Sequence, residues 1–164
     1  HSHRCLRDSH DQGLHAGALP RQARHPDSLS WSVQMTWWSE YIGIPFLSGG
    51  RGSSAYDCWG LVRAVYADRL GLELPSYGEI SADDLVRVAR AMDRAKDDGW
   101  VPCGPQPFAV VLMRHPRGGR RIVHVGVMVD DKRVMHVEEA TSTVVVPVDH
   151  VSVSGRIVGY RRMI

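Results

Sequence analysis

The chain has 164 residues, a formal net charge of +2 and a pI near 8.6. With 43% hydrophobic and 23% charged residues it has the make-up of one globular domain, long enough to bury a real core. The charge is too mild for a nucleic-acid partner, no apolar run reaches the roughly 20 residues of a membrane helix, and the cysteines Cys5, Cys58 and Cys103 do not make a disulfide framework.

Residues 1–34 stand apart. They hold five of the nine histidines and four arginines but few large apolar residues, and no period persists. They also lack the continuous apolar centre of a secretory signal. An N-terminal arm, disordered or extraneous to the native protein, is expected there, with Met35 a natural start. His1, His3, Cys5 and His10 do not follow a zinc spacing, so no metal is expected.

Residues 35–164 carry the folding signals. "MTWWSEYIG" predicts a short helix around Trp37 to Tyr41, and "IPFLSGGRGSS" reads as loop. Leu61, Val62, Val65, Tyr66 and Leu70 recur at helical spacing over 58–70, with Asp57 suited to the N-cap and Gly71 to the stop. A second helix is expected in "SADDLVRVARAMDRAKDDG". After Gly99 the period shortens. "FAVVLMRH", "RIVHVGVMV", "RVMHVEEA", "TVVVPVD" and "GRIVGYRRM" read as strands, while "VPCGPQP", with Cys103, reads as a turn. Helices followed by a strand meander predict an α+β fold, with N-terminal helices packed on an antiparallel sheet of about five strands.

Cys58 is either a small core residue or a thiol in the first turn of a helix, where unpaired N–H groups and the positive dipole end favour thiolate. A nucleophile needs a base. In "RIVHVGVMV" the valines fall on one strand face and His124 and Gly126 on the other, with Gly126 leaving room for an element such as the Cys58 helix. The base in turn needs an orienting partner. If Asp130-Asp131-Lys132 forms a three-residue loop, His124 lies opposite Glu138 and diagonal to His136 on one face. A two-residue turn would send the two histidines to opposite faces. Glu138 competes with His136 for the orienting role.

The wording "GIPFLSGGRGSSAYDCWGLVRAVY", followed by "HVGVMVDDKRVMHVEE", resembles the NlpC family of cell-wall cysteine peptidases, most nearly its phage-tail and prophage-like branch. The resemblance spans about residues 35–164. It implies a papain-like fold and hydrolysis of peptidoglycan stem peptides, commonly at the bond between D-glutamate and the diamino acid. It further implies Cys58 as nucleophile, His124 as general base and His136 as orienting residue, without metal or cofactor. Asp57 matches a residue that helps hold the substrate's amino end, and Trp59 stands where many members have serine, a place that would reshape the cleft. Phe46 replaces a common tyrosine, whose hydroxyl Tyr41 or Tyr56 would have to supply. Phe108-Ala109 replaces a common Gly-Asp. The implied partners are peptidoglycan and tail or tail-tip proteins. The implied route is synthesis in the cytoplasm and carriage to the cell wall in a phage-tail-like particle. The alternatives are a tail-tip structural component with little activity, or an amidase or acyltransferase using the same Cys–His chemistry.

Overall fold

Asp57 and Gly71 bracket the segment on which the rest of the structure is built. In the computed structural model, which describes residues 37–76, 87, 90 and 99–164, the helix α1 runs over Cys58–Val65. Asp57 has extended backbone, and its side chain accepts from the Gly60 N–H at 2.7 Å, satisfying one of the free donors of the first turn. A wider turn, Tyr66–Leu70, prolongs α1 and stops at Gly71, whose φ of 64° is the left-handed conformation a glycine adopts without strain. Ahead of α1 lie a single 3₁₀ turn, Trp37–Tyr41, and a two-stranded ribbon of β1 (Arg51–Gly52) and β2 (Ala55–Tyr56).

Among the described residues six strands follow: β3 (Trp100–Cys103), β4 (Val110–Arg114), β5 (Ile122–Met128), β6 (Arg133–His136), β7 (Val144–Pro147) and β8 (Ile157–Met163). They form one antiparallel sheet in the order β3-β8-β4-β5-β6-β7. The fold is papain-like α+β, and β4 to β7 form the expected meander. Two features depart from expectation. β8 turns back to lie between β3 and β4, and the segment read as a turn around Cys103 is the edge strand β3. Pro102 is tolerated there because an edge strand has one side without a ladder to complete. Strand β1 likewise lies inside the stretch read as loop, and β2 directly follows that stretch.

The sheet is buried on both faces. On one, Val110, Leu112, Val125, Val127 and Met135 share a core with Leu61, Val62 and Val65 of α1. On the other, Val111, Met113, Met128 and Val134 pack with Val153 from the segment between β7 and β8. Each fully buried aliphatic side chain contributes about 1.5–3 kcal/mol. The helix therefore packs on the valine face of β5, not on the His124 face. The arm at 1–34 and the helix at 81–99 lie outside the described residues, save that Arg87 and Arg90 have helical backbone.

Candidate active site

The loop before α1 is pressed onto its first turn. The Asp57 N–H donates to the Gly50 carbonyl at 3.1 Å, and a methyl group at Gly60 would overlap that same carbonyl oxygen. Both glycines are needed for this approach, which explains the paired "GG" and "DCWG" segments. Arg51 closes the arrangement with an ion pair to Asp57. Cys58 stands at the start of α1 and is 2% exposed. The backbone amides of Val125 and Trp59 hydrogen-bond its sulfur. The expected lowering of the thiol pKa does not occur. Burial pushes it up to about 12 against the pull of the Val125 amide, and the neighbouring Asp57 charge adds to the rise. The resting group is a neutral thiol.

The β5–β6 hairpin has the three-residue loop. Val127 pairs with Met135 and Met128 with Val134, and the Val129 N–H donates to the Arg133 carbonyl at 3.0 Å. Asp130 caps the turn through the Lys132 and Arg133 amides at 2.9 and 2.8 Å. With that register His124, His136 and Glu138 converge. His124 Nε2 lies 2.9 Å from His136 Nδ1 and 3.3 Å from Glu138 Oε1. Both rings are buried. Burial holds His124 well below the ordinary histidine value, helped first by the neighbouring His136 and then by the positive charge of Arg156, so its ring is neutral. His136 is also lowered, chiefly by burial, with Glu138 pulling the other way. The room left by Gly126 is taken by β6. A side chain there would strike Val134, the Met135 carbonyl and the His136 Cβ. Gly126 thus lets the two histidine-bearing strands close together.

Cys58, His124 and Glu138 line one cavity of about 540 Å³. Phe46, Ser48 and Val123 form part of its wall, and His115, Glu139 and Arg156 supply further polar groups. Arg156 escaped the sequence reading. It immediately precedes β8, far along the chain from Glu138, and no short motif links the two. Its Nη1 lies 2.5 Å from Glu138 Oε1. The donor atoms of His124, His136 and Glu138 all fall within 4.8 Å of one another, but the cation that meets this carboxylate is the Arg156 guanidinium.

Other expected site residues lie elsewhere. Asp57 is engaged by Arg51 and by the Gly60 amide, is 2% exposed, and does not line this cavity. Trp59 is also outside its lining. It is buried in the core, with Nε1 donating to the Pro75 carbonyl at 2.9 Å, so its bulk bears on helix packing and not on this cavity. Tyr41 donates to Asp68 at 2.7 Å, and neither it nor Tyr56 replaces the hydroxyl absent at Phe46. Both are buried, and burial raises both phenols. Phe108, at the position of the common glycine, has a φ of 65°, the conformation a glycine would adopt freely.

A cysteine that opens a helix and shares a cavity with a histidine of the antiparallel sheet accords with the papain-like α+β fold. The sequence profile of the NlpC/P60 family matches residues 43–162, and the chain belongs to that family. No curated protein sequence is significantly similar to it. Among solved structures, an NLP/P60-family protein similar to a lipoprotein, from Staphylococcus aureus, superposes with a TM-score of 0.55 at 20% identity. That match covers 90% of this chain and 45% of the other. An NlpC/P60 family protein from Bacillus cereus superposes with a TM-score of 0.57 at 17% identity, covering 80% of this chain and 39% of the other. The chain thus spans less than half the length of either protein.

Proposed function

We propose that residues 35–164 form a cysteine endopeptidase that cleaves peptidoglycan stem peptides at a bond of the D-glutamate–diamino acid type and works within a phage-tail-like particle. Family membership supports the reaction class. The observation that carries the assignment is the 2.9 Å His124–His136 contact beside the cavity that Cys58 lines. In the reaction the Cys58 sulfur bonds to the substrate carbonyl carbon while its proton passes to His124. With Nε2 engaged by His136, Nδ1 is the nitrogen that takes it. The Cys58 backbone N–H, at the start of α1, stabilises the oxyanion. The carbon–nitrogen bond breaks as His124 returns the proton to the leaving amine. Water then attacks the acyl-enzyme, giving its proton to His124 and freeing the thiol. Substrate-side recognition falls to the cavity wall, and Asp57, already paired by Arg51, supports the α1 cap.

The test is mass spectrometry of peptidoglycan fragments incubated with the full chain and with Cys58→Ala. Cleaved stem peptides from the wild type alone are expected. No product on any stem peptide, or equal product from Cys58→Ala, overturns the reading. One observation favours a second reading, a tail-tip structural component with little turnover: the Cys58 thiol is 2% exposed and held neutral.

A further inference from the structure

The Glu138 carboxylate is shared between a histidine and an arginine. Its Oε1 is 3.3 Å from His124 Nε2 and 2.5 Å from Arg156 Nη1. Arg156 is 7% exposed and firmly anchored. Its Nε donates to the Arg114 carbonyl at 2.9 Å, its Nη1 also reaches the Ser152 carbonyl at 3.3 Å, and its backbone N–H bonds the Val153 carbonyl at 2.9 Å. A buried guanidinium held this way is costly to assemble unless its charge is met. Here it is met by the Glu138 carboxylate, which also touches the His124 ring.

His124 Nε2 has two acceptors in reach, His136 Nδ1 at 2.9 Å and Glu138 Oε1 at 3.3 Å. One N–H cannot serve both well. A carboxylate with its full charge would take the hydrogen bond and favour the doubly protonated ring, which is no longer a base. A carboxylate already bonded to a guanidinium makes a weaker claim. The other groups about His124 do not do this job. Cys58 comes from α1 as a neutral thiol, and β4 places Met113 opposite. His115 and Glu139 also stand on the cavity wall.

We infer that Arg156 is a positioning residue for His124: acting through Glu138, it offsets the carboxylate so that the Nε2 hydrogen stays on the His136 bond and the ring remains a free base toward Cys58. The consequence for turnover rests on the peptidase reading. The placement of the proton does not, and can be read without it.

The test uses the full chain labelled with ¹⁵N-histidine. Its imidazole shifts are followed by NMR against pH, beside the pH profile of kcat/KM on stem peptides. In Arg156→Met the His124 titration and the acid limb of kcat/KM both rise by at least about one pH unit, the lower end of what an unshielded opposite charge does at this range. Adding Glu138→Gln to that variant returns both toward wild type, and Glu138→Gln alone moves neither upward. Arg156→Lys, which keeps the charge, stays within half of the Arg156→Met displacement. Should Arg156→Met not fold, Arg156→Lys/Glu138→Gln against Arg156→Lys carries the comparison, and the single lysine variant must titrate higher than the double. Unchanged His124 titration in these variants overturns the inference, as does an upward shift that survives removal of the Glu138 charge. Shifts as described without peptide cleavage by the wild type leave the inference standing and remove the peptidase reading.

Discussion

His124 Nε2 and His136 Nδ1 lie 2.9 Å apart, while the other nitrogen of His136, Nε2, is buried with no hydrogen-bond partner among the described residues. For His124 Nδ1 to accept a proton, Nε2 must carry one and His136 Nδ1 must be the acceptor. The His136 hydrogen then sits on the unpaired Nε2. An unmet buried donor costs about 1–3 kcal/mol. In the proposed reaction the pair therefore holds this tautomer at the expense of stability.

His136→Ala should lower kcat/KM by roughly 10²–10⁴-fold, the usual range for a lost contribution to acid–base catalysis. His136→Asn, which keeps an acceptor, should retain more activity. Steady-state kinetics on a stem peptide check both. Wild-type turnover in His136→Ala would move the orienting role to Glu138.

The neutral thiol of Cys58 predicts a specific alkylation profile. Its pKa is raised to about 12, so thiolate grows tenfold per pH unit throughout the neutral and mildly alkaline range. In a Cys5→Ser/Cys103→Ser background, iodoacetamide labelling followed by mass spectrometry should be slow at pH 7 and still rising at pH 10. A rate that levels off below pH 8 would show a preformed thiolate instead.

Acid should unfold the protein through its histidines. His124 and His136 are both held below the ordinary value of 6.5 by burial. Above about pH 6.5 neither folded nor unfolded chain binds these protons, and the pair contributes no pH dependence. As pH falls below that point the unfolded chain takes up protons that the native state refuses, so stability declines until the folded values are reached. Urea titrations at pH 7.5 and 5.5 should show the loss. His124→Gln/His136→Asn should flatten that part of the dependence relative to wild type.

Phe108 offers a test of strain against packing. Its φ of 65° is unfavourable for a phenylalanine, yet its ring stacks on Trp37 at 4.9 Å and its carbonyl accepts from the Tyr66 hydroxyl at 2.6 Å. Strain of this kind is worth of order 1–3 kcal/mol. Phe108→Ala loses the stack and keeps the strain, whereas Phe108→Gly loses the stack and relieves the strain. The expected order of Tm is wild type, then Phe108→Gly, then Phe108→Ala. An alanine variant more stable than the glycine variant would contradict it.

Local chemistry was legible where one residue type decides a geometry. Asp57 could be read as an N-cap and Gly71 as a stop because their side chains, or the lack of one, act within their own turn. The three-residue loop after Val129 was enough to bring His136 beside His124, since strand register is arithmetic once the loop is fixed. Illegible features depend on partners distant in sequence. Gly126 reads as an opening for the helix, but its neighbour is β6, the strand paired with its own. Trp59 reads as a cleft wall by its place beside Cys58, yet one helical step of about 100° turns it into the core. Arg156 carries no local signature at all, and only the return of β8 brings it to Glu138. β3 was hidden by Pro102, whose cost vanishes at an edge.

The return of β8 also orders events in time. As the chain emerges from the ribosome, β4 to β7 are made first and can pair as a meander, leaving one edge of β4 open. Cys58, His124 and His136 are all present at that stage, and Glu138 has no guanidinium to face. Arg156 and β8 arrive in the same short stretch, so the edge is sealed and the carboxylate is matched in a single late step. In a nascent chain the Glu138 carboxylate thus has no Arg156 partner until the sheet closes.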